Sequence, residues 1–217
     1  MRTRVLLAAL VALLASGCQR TALLWANRGL PPPEASVVYA PALGMALDVY
    51  KPSSTGDKRR PVVVFFYGGG WSSGRREDYR FVGRRLAEAG IVAVVADYRT
   101  WPATGFPGFV EDGARAVAWA RANAADFGGD PERLYVAGHS AGAQIAALIG
   151  SDPRYLRAHG LQPHTLAGVI GLSGPYDFDI TVRNLAPAFR AIDGDGERRV
   201  ARGSGSVAHR VGEHLGE

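Results

Sequence analysis

A chain of 217 residues is long enough for one domain with a sizeable hydrophobic core. Its hydrophobic share of 47% and charged share of 21% exclude an intrinsically disordered protein. The formal charge of +5 is almost wholly arginine, and its nearest cluster, Arg75-Arg76 with Arg80, Arg84 and Arg85, reads as one solvated helix face, which weighs against a nucleic-acid partner.

Arg2 and Arg4 precede an apolar run from Val5 to Ala15, and Ser16, Gly17 and Cys18 follow. A charged start, a short apolar core and small residues read as a signal peptide over residues 1–17. The run is shorter than the roughly 20 residues that a spanning helix needs. Ala15-Ser16-Gly17-Cys18 resembles the lipobox of bacterial lipoproteins, with the usual leucine displaced by one place to Leu14. That resemblance implies lipidation of Cys18, a mature chain beginning there, and anchoring to the inner or outer membrane of a bacterial envelope. The alternative is a plain signal peptide with an incidental cysteine. Cys18 is the only cysteine, so no internal disulfide is possible. Residues 18–36, with Pro31-Pro32-Pro33, read as a tether between membrane and domain.

From residue 37 to 177 strand-like and helix-like segments alternate. Val37–Tyr39 and Ala46–Tyr50 are short strand candidates. Val62–Tyr67 is a continuous β-branched and aromatic run, as expected of a strand buried on both faces. A helix is expected over about Asp78–Ala89, a second buried strand at Ile91–Val95, and a longer helix over about Phe109–Ala125. Gly128-Gly129-Asp130-Pro131 ends that helix. Leu134–Ala137 is a third strand, Ala141–Ile149 a helix, and Leu166–Leu172 a further strand. This order predicts an α/β fold, a mostly parallel sheet with helices on both faces.

The pattern stops near Asp177. From Phe178 to Glu217 there is no uninterrupted run of four apolar residues, and Leu185–Phe189 is broken by Pro187. Residues 178–217 therefore read as an atypical tail, disordered or non-native.

Gly138-His139-Ser140-Ala141-Gly142 matches G-x-S-x-G between a buried strand and a small-residue helix, the context that a nucleophile elbow requires. Ser140 is the candidate nucleophile. Gly68-Gly69-Gly70-Trp71 follows another buried strand. Acyl transfer develops negative charge on the carbonyl oxygen, and backbone N–H groups stabilise it. Gly69 with Gly68 on one side, and Ala141 on the other, are the candidate oxyanion donors. Trp71, Trp101 and Phe106 are candidates for lining an acyl or aryl pocket, with core packing as the competing reading.

Phe65–Trp71, Ala96-Asp97-Tyr98-Arg99, Phe106-Pro107 with Glu111-Asp112, Gly129–Arg133 and Gly138–Gly142 occur in an order and spacing similar to that of carboxylesterases of the hormone-sensitive-lipase and bacterial feruloyl-esterase-like (BD-FAE) type. Gly171–Asp177 resembles the segment after their next strand. The resemblance covers about residues 37–177. It implies the α/β-hydrolase fold and hydrolysis of small carboxylic esters through an acyl-serine intermediate, with no cofactor and no metal. Tyr67 stands where many members carry a histidine that orients the glycine loop.

A serine nucleophile needs a base, which a carboxylate orients. The resemblance places acid and then histidine after Ser140, each following a further strand, and no convincing strand remains after Asp177. The last two strands are therefore expected to be lacking, with Leu166–Leu172 left as an unprotected edge. His139 is expected to pack under the elbow, and His159 and His164 to lie in surface loops. Asp193 with His209 or His214 has the right order but no strand to hold it. The chain is thus an esterase by lineage whose own activity is expected to be feeble. The competing readings are a non-catalytic membrane-tethered remnant or binding protein on the same fold, and an amidase or formamidase using the same serine machinery.

Overall fold

The computed structural model describes residues 21–53, 59–176 and 186–189. A single six-stranded sheet has the order β1-β2-β4-β3-β5-β6. Strands β1 (Ala35–Ala40) and β2 (Met45–Tyr50) form an antiparallel hairpin, and β2 lies antiparallel to β4 (Val92–Ala96). From β4 across β3 (Arg60–Phe66), β5 (Gly129–His139) and β6 (Gly168–Leu172) the pairing is parallel. The sheet is thus mostly parallel, as expected, and the structure adds an antiparallel edge.

The central strands are buried on both faces because helices cover both. Pleating sends alternate side chains to opposite sides. Phe65 meets Tyr79, at the start of helix α1 (Arg80–Glu88), with ring centroids 5.5 Å apart. Phe66 points the other way, toward helices α2 (Gly108–Asn123) and α3 (Ala141–Ser151). A Cβ on Gly113 of α2 would lie 2.9 Å from both Ile145 and Ile149 of α3 and 3.3 Å from Phe66. Glycine and alanine on α2 thus let the two helices and the strand meet closely. On the opposite face, α1 rests on Tyr50 at Gly83, where a Cβ would come within 2.3 Å of the ring.

β5 is longer than the expected Leu134–Ala137 because Gly129 also pairs with Arg60, the register shifting between Arg60 and Val62. A short helix α4 (Pro153–Arg157) follows α3, with Pro153 in its first turn and the Asp152 carboxylate accepting the Arg154 N–H at 2.9 Å.

The expected tether is, in its described part, fastened to the body. Asn27 Nδ2 donates to the Asp78 carbonyl at 2.8 Å, and Asn27 Oδ1 accepts the Phe81 N–H at 2.9 Å. Further along, Arg84 donates to the Pro31 carbonyl and to Glu34. This also corrects the reading of the arginine cluster. Arg84 and Arg76 are only 11% and 20% exposed, whereas Arg75 and Arg85, at 65% and 78%, are solvated.

The tail reading is corrected over one stretch. Ala186–Phe189 forms a helical turn, α5, with Ala188 and Phe189 buried. Phe189 packs edge-on against Trp71 at 5.0 Å and stacks on Phe106 at 5.6 Å, while the Ala188 carbonyl accepts the Phe106 N–H at 2.7 Å. The short Ala186–Phe189 turn, which contains Pro187, hid this docking site because four residues carry no readable period. Strand β6 is an edge in the described residues, with Ile170 and Leu172 43% and 49% exposed. Among the described residues no helix is long and apolar enough to cross a membrane.

Candidate active site

Ser140 joins β5 to α3 with φ 52° and ψ −119°. A non-glycine residue rarely adopts this conformation, which costs about 1–3 kcal/mol. The surroundings hold it there. The Ser140 N–H donates to the Leu172 carbonyl at 2.8 Å, and its carbonyl accepts from Ala143 and Gln144 at 3.0 and 3.3 Å. The motif glycines are steric necessities. A Cβ on Gly138 would lie 2.2 Å from the Gly142 carbonyl oxygen, and one on Gly142 would lie 2.1 Å from the Phe66 carbonyl oxygen.

The glycine loop lies directly against this turn. A Cβ on Gly68 would stand 3.0 Å from the Ser140 Cβ and 2.8 Å from His139 Nδ1. Gly69, Gly70 and Trp71 all have positive φ, 146°, 59° and 57°. The Gly69 carbonyl accepts from Ser72 and Ser73 N–H at 3.2 and 3.1 Å, which closes the loop. The Gly68 N–H donates to Tyr79 Oη at 3.2 Å. Gly68 therefore serves the site by its lack of a side chain, with its N–H already engaged. Among the described residues the Gly69 N–H has no partner. The Ala141 N–H sits in the first turn of α3, where no intrahelical acceptor exists.

Two contacts that the sequence did not reveal tie the halves of the site together. Tyr79 Oη lies 2.9 Å from His139 Nδ1 while accepting from Gly68. Burial pushes the Tyr79 phenol above its ordinary range, so it keeps its proton at neutral pH. The buried Gln144, one turn along α3, accepts the Trp71 indole N–H at 3.2 Å. Only the spacing of Trp71 after the glycines and of Gln144 after Ser140 carried a signal, and spacing does not say that they meet.

The other segments that carried the family resemblance act as fasteners. Tyr67 and Tyr98 stack at 4.5 Å and each donates its hydroxyl to the other's carbonyl, at 3.3 and 2.8 Å. This reciprocal pair holds the start of the glycine loop. Arg99 grips the fully buried Asp112 with two guanidinium bonds of 2.8 and 2.9 Å, and its N–H adds a third contact of 3.0 Å. Arg76 bridges Asp48 on β2 and Asp97 after β4.

His139 packs under the elbow, its ring turned to Tyr79. His159 lines a cavity of about 390 Å3 between α2 and α4, with Phe106, Glu111, Arg115 and Tyr155. His164 lies in a short 3-10 turn before β6. Among the described residues no side chain hydrogen-bonds the Ser140 hydroxyl, and no cluster of His, Cys, Asp or Glu is arranged to hold a metal. Asp193, His209, His214 and Cys18 lie outside the described residues. Trp71 and Phe106 are buried with Phe109 and Phe189 in one aromatic cluster, and Trp101 is 38% exposed.

Comparison with known proteins agrees with this architecture. A probable isoprenylcysteine alpha-carbonyl methylesterase of Oryza sativa subsp. japonica is 46% identical over 113 residues, covering 52% of this chain and 26% of the relative. Esterase LipC of Mycobacterium tuberculosis is 37% identical over 148 residues, covering 66% and 37%. The chain thus spans between about a quarter and somewhat over a third of the length of these relatives. The apo form of Thermogutta terrifontis esterase 2 superimposes with a TM-score of 0.63 at 27% identity, covering 75% of this chain and 65% of that one. The BD-FAE family profile matches residues 47–189, which include the glycine loop, the elbow and the docked Phe189. With well over half of its length matched, from β2 to α5, the chain belongs to the BD-FAE family.

Proposed function

We propose that this protein is a serine hydrolase of small carboxylic esters that works through an acyl-serine intermediate. The observation that carries the reading is Ser140, held at φ 52° on a strand-to-helix turn directly against the glycine loop. Ser140 Oγ attacks the ester carbonyl carbon, and the hydroxyl proton passes to a base. The negative charge on the carbonyl oxygen is met by the N–H groups of Gly69 and Ala141. Collapse expels the alcohol, which takes up the proton, and water then hydrolyses the acyl-serine. A trans peptide turns the Gly69 N–H away from the Gly68 carbonyl, which faces Gly74, so the donor is free to point out of the loop. The esterase names of the relatives support the same chemistry, and Thermogutta terrifontis esterase 2 has been described phosphoramylated by tabun.

Among the described residues no base stands at the Ser140 hydroxyl, and the neighbouring His139 ring is engaged by Tyr79. Asp193 with His209 or His214 has the right chain order but no strand in the sequence to hold it, so turnover by this chain is expected to be feeble. A serine hydrolase lacking its base and acid keeps only about 10³- to 10⁴-fold acceleration over water. The test is mass spectrometry of the 217-residue chain exposed to an activated short-chain ester, alongside Ser140→Ala. One acyl group on Ser140, absent from the variant, is expected, with slow turnover. An unmodified Ser140, or equal acylation of the variant, would overturn the reading.

From the lipobox-like Ala15-Ser16-Gly17-Cys18 we further propose that the protein lies in a bacterial envelope, with residues 1–17 removed and Cys18 lipidated. Two or more acyl chains make such anchoring stable, whereas one is marginal. Detergent-phase partitioning checks it, and equal partitioning of Cys18→Ala would remove the thiol as the anchor.

A further inference from the structure

We infer that Leu24 and Trp25 form a bilayer-seating surface, by which the body of the protein is held in one orientation on a membrane. The inference rests on the envelope reading above, but its geometry is independent of lipidation. Residues 21–26, Thr-Ala-Leu-Leu-Trp-Ala, are helical and carry no charge on any side. A helical segment that turns bulky apolar side chains outward and carries no charge favours an apolar environment on that side. Here Leu23 and Ala26 face the body, half-buried, while Leu24 and Trp25 stand out at 69% and 77% exposure. These are the largest exposures among the bulky apolar side chains of the described residues.

Three further features select a bilayer as the occupant. The chain just upstream is the apolar run Val5–Ala15 and the candidate lipid site Cys18, so this stretch is the first described part of the body after the membrane-directed segment. Tryptophan favours the membrane–water interface, where its ring is buried and its N–H stays hydrated. Arg28, exposed and one turn beyond Trp25, is placed to meet anionic headgroups.

The seat is also rigid. Asn27 is bonded to Asp78 and Phe81, Arg80 Nη1 reaches the Leu30 carbonyl at 3.4 Å, and Arg84 reaches Pro31 and Glu34. A flexible tether would let the body tumble below the membrane, whereas this strap fixes the Leu24–Trp25 surface to α1. The strap meets the body at Asp78, the residue before Tyr79, so the bilayer contact adjoins the element that supports the elbow.

The experiment is tryptophan quenching in vesicles of phosphatidylethanolamine and phosphatidylglycerol with brominated acyl chains. Mature protein purified from a bacterial membrane is reconstituted, and its co-flotation with the vesicles is recorded in the same sample. Wild type is expected to float and to lose part of its emission to bromine, and Trp25→Phe is expected to float without that loss. Leu24→Glu, which keeps the fluorophore, is expected to weaken the quenching several-fold. Flotation with no quenching, or with equal quenching in Trp25→Phe, would overturn the seat and leave the anchor standing. Flotation of Cys18→Ala with Trp25 still quenched would sustain the seat and remove the lipid anchor. Failure of wild type to float would overturn both.

Discussion

The phenol oxygen of Tyr79 lies 2.9 Å from Nδ1 of His139 and also receives the Gly68 N–H at 3.2 Å. One hydroxyl thus joins the start of α1, the glycine loop and the residue before the nucleophile. Tyr79→Phe keeps the ring packing and strands two polar groups, the buried Gly68 N–H and the part-buried His139 Nδ1. A loss of about 1–3 kcal/mol is expected in urea unfolding. Acylation of Ser140 should fall by more than the unfolded fraction explains, because the loop loses its register against the elbow. Unchanged stability and acylation would show that the bond does not hold the loop.

The glycines of the elbow admit no side chain. In Gly142→Ala the new Cβ would meet the Phe66 carbonyl oxygen at 2.1 Å, backbone against backbone. Overpacking of this kind costs about 3 kcal/mol. For a chain of this size the melting temperature should fall by roughly 6–12 °C. A fall of only a degree or two would mean that β3 and α3 separate more readily than their packing indicates.

Ser140 stores strain that glycine would relieve. Ser140→Gly is expected to raise stability by about 1 kcal/mol, while acylation by an activated ester disappears. Ser140→Ala should lose acylation equally but keep the strain. Calorimetry on the pair checks this. Equal melting temperatures for the two variants would place the strain elsewhere.

Arg76 stands between Asp48 and Asp97, whose side chains are 4% and 19% exposed. Arg76→Gln leaves both carboxylates without their cation, and a cost of about 3 kcal/mol is expected at neutral pH. Burial already raises the Asp97 carboxyl above its ordinary range, against the pull of Arg76. Without the arginine the folded-state value rises further. A carboxyl raised in the folded state contributes stability when protonated, and loses it as pH climbs from the unfolded value of about 3.9 through the folded one. The deficit of Arg76→Gln should therefore shrink as pH is lowered toward 4. A deficit independent of pH would assign the role of Arg76 to packing alone.

Ile170, on β6, which is an edge strand among the described residues, is 43% exposed. Ile170→Lys should change stability by no more than about 0.5 kcal/mol and should lower self-association, since a lysine blunts an open edge. Light scattering over a concentration series reads the second effect. A large loss of stability would mean that this side chain is covered in solution.

The strands were legible because buried parallel strands are written as continuous β-branched and aromatic runs, such as Val62–Phe66 and Val92–Ala96, every residue of which is buried. The elbow was legible because a steric rule fixes its glycines at set positions around Ser140. Arg76, Tyr79, Gln144 and Phe189 left no comparable mark. Each acts through a partner distant in sequence: Asp97, His139, Trp71 and Phe106 respectively. A local pattern records which face of an element is apolar, as on α1. It does not record that Arg84 and Arg76 turn inward while Arg75 and Arg85 stay in water. Periodicity and backbone sterics are local and therefore written in the sequence. The pairing of polar groups across elements depends on how strands and helices stack, and only the tertiary structure decided it.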